Sequence, residues 1–177
     1  MKSILTCALA LIAVSGFALA ETKSGQTETV TINGKTIAIK YSAPAVNGRI
    51  GKIFGKDGLI GGDDHYPVWR AGANNATALH TDADLDLGGL AVPKGDYTLF
   101  VNLANPDAWE LIVNKQTGQS GLDYDAKRDL GHVKMTMSKP PALVEQLKYT
   151  LSSTGGNKGK LELGWENHVA SVALTAK

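Results

Sequence analysis

The sequence predicts an all-β fold, an antiparallel β-sandwich or jelly-roll-like arrangement. Three observations carry this reading. Apolar residues recur with a period of two along most of the chain, as half-buried strands require. Turn chemistry punctuates them at short intervals, from Asn33-Gly34 to Gly155-Gly156-Asn157. Apolar stripes of helical period are nearly absent, so two packed sheets fit better than any bundle.

Residues 1–20 stand apart from this pattern. Lys2 supplies a positive start, 4–14 a short apolar run, and Ala18-Leu19-Ala20 a small-residue cleavage pattern, which together read as a secretory signal peptide cut after Ala20. The apolar run is shorter than the roughly 20 residues a bilayer span needs, and no later stretch approaches that length. We therefore expect no transmembrane segment, and a mature chain of residues 21–177 forming a single β-sandwich domain in the periplasm or outside the cell. The one cysteine, Cys7, lies near the start of the apolar run instead of after it, which argues against a lipid anchor. An exported chain without disulfides must rely on its core, and this length suffices to bury one.

The 18 Lys plus Arg and 17 Asp plus Glu are interspersed, and removing Lys2 brings the balance to 17 against 17. No basic footprint for nucleic acid or an anionic membrane surface exists.

The strands follow in order. Residues 27–33 and 36–41 flank Gly34-Lys35, so Asn33-Gly34 reads as a hairpin turn in which positive φ is cheap. Further strands are expected at 76–81, 85–87, 96–103, 109–114, 132–137, 147–153, 160–165 and 168–175, with a short helix possible at 141–147. Gly95-Asp96-Tyr97 places a tyrosine two residues after a turn glycine at a strand start, the pattern of a tyrosine corner, whose hydroxyl bonds upstream backbone. Trp109 and Trp165 fall inside alternating strands and read as core.

Two segments break the rhythm. Residues 47–75 carry seven glycines (48, 51, 55, 58, 61, 62 and 72), and 115–131 are polar around Tyr124. Both read as long loops, which in a compact protein are functional or disordered. Phe54, Tyr66, Trp69 and Tyr124 favour packing.

At Tyr41-Ser42-Ala43-Pro44, Gly48-Arg49, Lys52-Ile53-Phe54-Gly55, Tyr66-Pro67-Val68-Trp69-Arg70-Ala71-Gly72-Ala73-Asn74 and residues 92–100, the chain resembles domain-of-unknown-function family 2911, a family of exported bacterial proteins. The likeness runs over about 39–174 through 109–114, Asp123-Tyr124-Asp125 and Leu161-Glu162-Leu163-Gly164-Trp165-Glu166. It implies an exported all-β domain and brings no activity with it. Residues 57–64, rich in glycine, are an insertion where relatives more often have a short Leu-Val-Pro turn, so the resemblance does not carry the shape of the first loop over to this chain.

The Trp69–Asn74 stretch is the best candidate contact surface. Arg70 offers five donors in a rigid fork, Trp69 a flat face, and Asn74 a donor and an acceptor. Tyr66 and Tyr124 complete the candidate ligand-binding set. The competing reading is structural: Arg70 pairs with an internal carboxylate and pins the loop, and Asn74 caps a turn. Asp64, His65 and His80 are the best metal ligands on offer, although no zinc spacing is present. Asp82-x-Asp84-x-Asp86 fails the calcium-loop pattern at Leu87 and Pro93 and reads as a solvated strand face. No nucleophile elbow, phosphate-cradling loop or cofactor motif occurs, and no catalytic residue or cofactor is assigned. These observations point to a non-enzymatic ligand-binding or envelope-associated module whose partner is a small molecule, a glycan or an envelope protein. The alternative is a periplasmic hydrolase drawing on Asp64, His65, His80 and Asp82.

Overall fold

Asn33 and Gly34 adopt φ of 50° and 73°, the handedness that a two-residue hairpin needs, and join β1 (Lys23–Ile32) to β2 (Lys35–Ala43). The structure is a computed structural model that describes residues 22–177; the leader expected at 1–20, with Cys7 and the cut after Ala20, lies outside the described residues.

Two antiparallel sheets follow. The first has the order β1, β2, β4 (Thr77–Thr81), β7 (Gly95–Asn102), β8 (Glu110–Asn114), β9 (Asp129–Lys134), with the two-residue β3 (Val68–Trp69) pairing to β7 beyond β4. The second runs β11 (Val144–Gly155), β12 (Lys158–Glu166), β13 (His168–Ala176), β5 (Leu85–Leu87), β6 (Leu90–Val92), with β10 (Thr136–Ser138) also on β13. The sheets are not closed into a barrel. Among the described residues no helix is long and apolar enough to cross a membrane.

Alternation decides what enters the space between the sheets. Ile37, Ile39 and Tyr41 on β2 and Tyr97, Leu99 and Val101 on β7 share one core with Leu147, Tyr149 and Leu151 on β11 and Leu161, Leu163 and Trp165 on β12. Tyr41 and Tyr149 meet edge to face with centroids 4.9 Å apart, an arrangement the ring quadrupoles favour. The tyrosine corner forms as expected: the Tyr97 hydroxyl donates to the Pro93 carbonyl at 2.8 Å.

Three local expectations are corrected. The helix considered at 141–147 is strand from Val144 onward: Val46 N–H donates to Glu145 O at 2.8 Å and Leu147 N–H to Pro44 O at 2.9 Å, so a neighbouring segment claims the backbone groups a helix would use internally. The single strand expected at 132–137 is two, β9 in the first sheet and β10 in the second. The chain changes sheets at buried Met135, whose N–H donates to Trp109 O at 2.8 Å, as strands do at sandwich corners. The loops contain more structure than their composition suggested, namely β3, a 3-10 turn at Ile60–Gly62 and another at Ala126–Arg128.

The solvated face expected of Asp82, Asp84 and Asp86 is also present, and each carboxylate holds a turn. Asp82 accepts from Thr36 N–H, Asp84 from Lys94 N–H and Asp86 from Gly89 N–H, at 3.2, 2.8 and 2.8 Å.

Candidate functional site

One end of the sandwich is filled by rings. Trp69 points inward from β3 and Trp165 from β12, stacked with centroids 5.8 Å apart and planes 14° from parallel. Phe54, delivered by the glycine-dense loop, packs against Trp69 at 5.7 Å, Trp109 at 5.0 Å, Trp165 at 5.7 Å and His168 at 4.6 Å. The loop must double back sharply to deliver it. At Gly61 an added Cβ would lie 2.0 Å from the Lys56 carbonyl oxygen, so this tight return admits only glycine.

Glu166, 2% exposed and at φ 55°, accepts from Gly51 N–H and anchors the loop from the other side. His168 stacks on Trp109 at 5.4 Å and lies 3.5 Å from Glu166. Burial holds its pKa below the ordinary imidazole value; Glu166 pulls the other way, and Lys139 adds to the depression.

Beside the rings lies a cleft of about 310 Å³ whose lining includes Arg49, Arg70, Trp69, Trp165, Leu59, Ile60 and Asp63. Arg49 donates from Nε to Val46 O at 2.9 Å and from Nη2 to Ala45 O at 2.7 Å, which fixes its guanidinium plane. Arg70 Nε is buried without a hydrogen-bond partner among the described residues, and neither arginine makes an ion pair within 4.0 Å there. The Arg70 stem lies over Gly121, where an added Cβ would come 2.6 Å from Arg70 Cδ. The buried Trp165 indole N–H also finds no acceptor among the described residues. Ala71 holds φ 49° while fully buried, fixed by its carbonyl accepting from Thr77 Oγ1 at 3.1 Å and the Tyr149 hydroxyl at 3.0 Å. Strained, over-determined backbone of this kind gathers at binding sites.

The residues singled out from the sequence do not form one group. Trp69 and Arg70 share the cleft, whereas Asn74, at φ 60°, lines a separate groove of about 540 Å³ with Lys40, Ser42, Thr98 and Gln119. The Asn74 carbonyl accepts from Gly121 N–H at 2.9 Å. Tyr66 is half-buried against the core. Tyr124 lies on Phe100 at 4.8 Å and donates to Asp129 Oδ2 at 2.6 Å. Burial first, then that carboxylate, raises its pKa. His65 meets Tyr124 edge-on at 5.8 Å in a crevice too tight for a ligand.

His80 sits on the outer side of β4, its Nδ1 2.8 Å from Asp96 and Nε2 3.2 Å from Asp82. Those carboxylates, Asp96 foremost, raise its pKa, and His80 in turn lowers that of Asp82. Phe100, under Tyr124, and Asp96, beside His80, are four residues apart on β7, about 13 Å at the rise of a strand. Asp64, His65 and His80 therefore do not assemble into one site, and neither does the hydrolase set that adds Asp82. Among the described residues no group of three or more His, Cys, Asp or Glu is placed to hold a metal ion.

The sequence reading missed Arg49, Leu59 and Ile60 as cleft residues, and took Trp165 as core alone. Gly48-Arg49 falls within the family likeness, the one signal that could have raised it. Nothing local sets Arg49 across a cleft from a residue 21 positions on.

Fold and cleft together define a two-sheet antiparallel sandwich with a basic, aromatic-floored hollow at one end. The chain belongs to the family described as protein of unknown function (DUF2911), whose sequence model matches residues 23–174. No curated protein and no solved structure matches it.

Proposed function

We propose that this chain is an exported, non-enzymatic small-molecule-binding module of the bacterial envelope, folded as one unit over residues 21–177, with its ligand at the Trp69–Arg70 cleft. The observation that carries the reading is that two residues lining the cleft, Arg70 and Trp165, each hold a buried donor, Nε and Nε1, that no group among the described residues satisfies. Buried polar groups are nearly always paired, and a ligand's acceptors would complete both.

Thermal shift against a panel of organic acids, glycans and short peptides tests it, because a ligand of the native state raises Tm by mass action. The expected result is a dose-dependent rise for at least one class, lost in Arg70→Ala while the unliganded variant stays folded. A variant that loses folding stability, with no ligand found for the wild type, would make Arg70 a structural clamp instead. Export predicts that the protein recovered from cells starts at Glu21 by intact mass.

A further inference from the structure

We infer that the cleft selects an organic monocarboxylate with an apolar body, gripped by Arg49 and Arg70; this rests on the binding reading above and names its ligand class. Charge comes first. Two guanidinium groups line one hollow with no carboxylate of the described residues within 4.0 Å of either. Partly desolvated cations are costly to leave unpaired, and a carboxylate is the planar acceptor that matches an arginine fork.

Arg49 gives two of its five N–H groups to the carbonyls of Ala45 and Val46. It is thereby held in place with donors to spare. Arg70 keeps a buried Nε–H, and Trp165 a buried neutral indole N–H, without a partner among the described residues.

Asp63 faces the same cleft. Against two arginines it leaves a net charge of +1, which suits a monoanion and works against a doubly charged phosphate. The remaining wall is apolar. Ile60 is buried and Leu59 is 52% exposed, an unusually open position for a large aliphatic side chain that the rest of the loop leaves uncovered. A ligand carrying its charge at one end and hydrocarbon at the other would meet both walls at once, and about 310 Å³ is at the small end of ligand pockets.

The test is a titration of the purified protein, by calorimetry and thermal shift at low ionic strength, with benzoate, phenylacetate and octanoate. Benzamide, phenylacetamide, inorganic phosphate and a neutral oligosaccharide set serve as comparisons. We expect the acids to bind at least tenfold more tightly than their amides, with affinity falling as salt is added. Arg49→Gln and Arg70→Gln should each lose at least tenfold in affinity while the unliganded variants stay folded, Arg49→Gln at a lowered Tm because its bonds to the Ala45 and Val46 carbonyls go with it, and Leu59→Ser should weaken octanoate more than benzoate.

Equal binding of acids and amides would overturn the anion class, as would saccharides that bind in an Arg70-dependent manner while acids do not; both leave the binding module standing. Phosphate binding without the organic acids would overturn the apolar body. If nothing in the panel binds, the carboxylate class falls, and the binding module falls with it only if the wider panel of glycans and short peptides also leaves Tm unmoved. The acid-to-amide ratio on the unmutated protein decides the matter even if an arginine variant does not fold.

Discussion

The excursion at residues 47–67 and the one at 115–128 both fold back onto the sandwich, but different chemistry holds each. The first is pinned from within: Phe54 enters a cage of Trp69, Trp109, Trp165 and His168, Ile53 is fully buried beside it, and Glu166 takes the Gly51 N–H. The second is laid over the outer face of the first sheet and held by polar groups. Asp129 accepts from Asn114 Nδ2 at 2.7 Å and from the Tyr124 hydroxyl at 2.6 Å, while Thr98 donates to Gln116 O at 2.7 Å. An aromatic plug leaves the surrounding loop free to present side chains, and that loop frames the cleft with Arg49 and Leu59. A polar clasp uses most of its donors and acceptors on itself, Gln119 Nε2 being buried without a partner among the described residues, and the crevice beneath Tyr124 is closed.

Removing the plug should have the largest effect. Phe54→Ala deletes a half-buried ring that touches four others, and since fully buried Phe→Ala changes destabilise by about 3–5 kcal/mol, a loss at the low end, about 3 kcal/mol, is expected. Urea unfolding should show that loss, and limited proteolysis should cut first within 47–67 while 115–128 stays protected. A loss below about 1 kcal/mol would mean that Glu166 and the backbone hold the first excursion without the ring.

The polar clasp should give a smaller and separately placed effect. Asp129, whose side chain is 11% exposed, serves Asn114, Tyr124 and His132 together. Asp129→Ala strips acceptors from the buried Asn114 amide and from the Tyr124 hydroxyl, for about 2 kcal/mol. Hydrogen exchange should rise across 115–128 and stay unchanged across 47–67. Tyr124→Phe keeps the ring on Phe100 and removes one bond, so about 1 kcal/mol is expected from the same unfolding experiment. If either variant loosens the first excursion, the two are coupled, and Arg70, whose stem lies over Gly121, is the bridge to examine.

The contrast also explains what could be read in advance. Ile37, Ile39 and Tyr41, or Leu161, Leu163 and Trp165, announce strands because one face of each is buried and the period of two follows from that alone. Asn33-Gly34 and Tyr97 are local devices whose chemistry is complete within a few residues. β3 is two residues long and has no period to detect, and β10 was merged with β9 because the change of sheet at Met135 depends on pairing with distant strands. The 141–147 segment carries no local sign of its strand for the same reason: residues 44–46 decide its conformation. In the site, Trp69 and Arg70 were legible as a motif. The partner across the cleft was not, since Arg49 is placed by a loop whose course is set by Phe54 finding its cage. Asn74 follows Arg70 by four residues, yet the positive φ at Ala71 and Asn74 turns it toward a different groove.

The smallest effect, and the one that separates the plug most finely from the outer face, is the response to pH. His168, in the cage, has its pKa lowered by burial, so between its native value and the unfolded value near 6.5 the unfolded chain binds more protons than the native one. Stability should therefore be fully present above 6.5 and fall as the solution is acidified through that window. His80, on the outer face, has its pKa raised by Asp96 and Asp82, so its contribution is fully present below 6.5 and is lost as pH rises through the native value. The two histidines act on opposite sides of the same pH. Urea midpoints of the wild type, His168→Phe and His80→Asn between pH 5 and 8.5 resolve them. The first variant should flatten the acid limb alone and the second the alkaline limb alone. The His80 contribution should shrink with added salt because its partners are exposed, and the His168 contribution should not. An acid limb that persists in His168→Phe would show that the cage is indifferent to its histidine, leaving the plug held by Phe54 and the tryptophans alone.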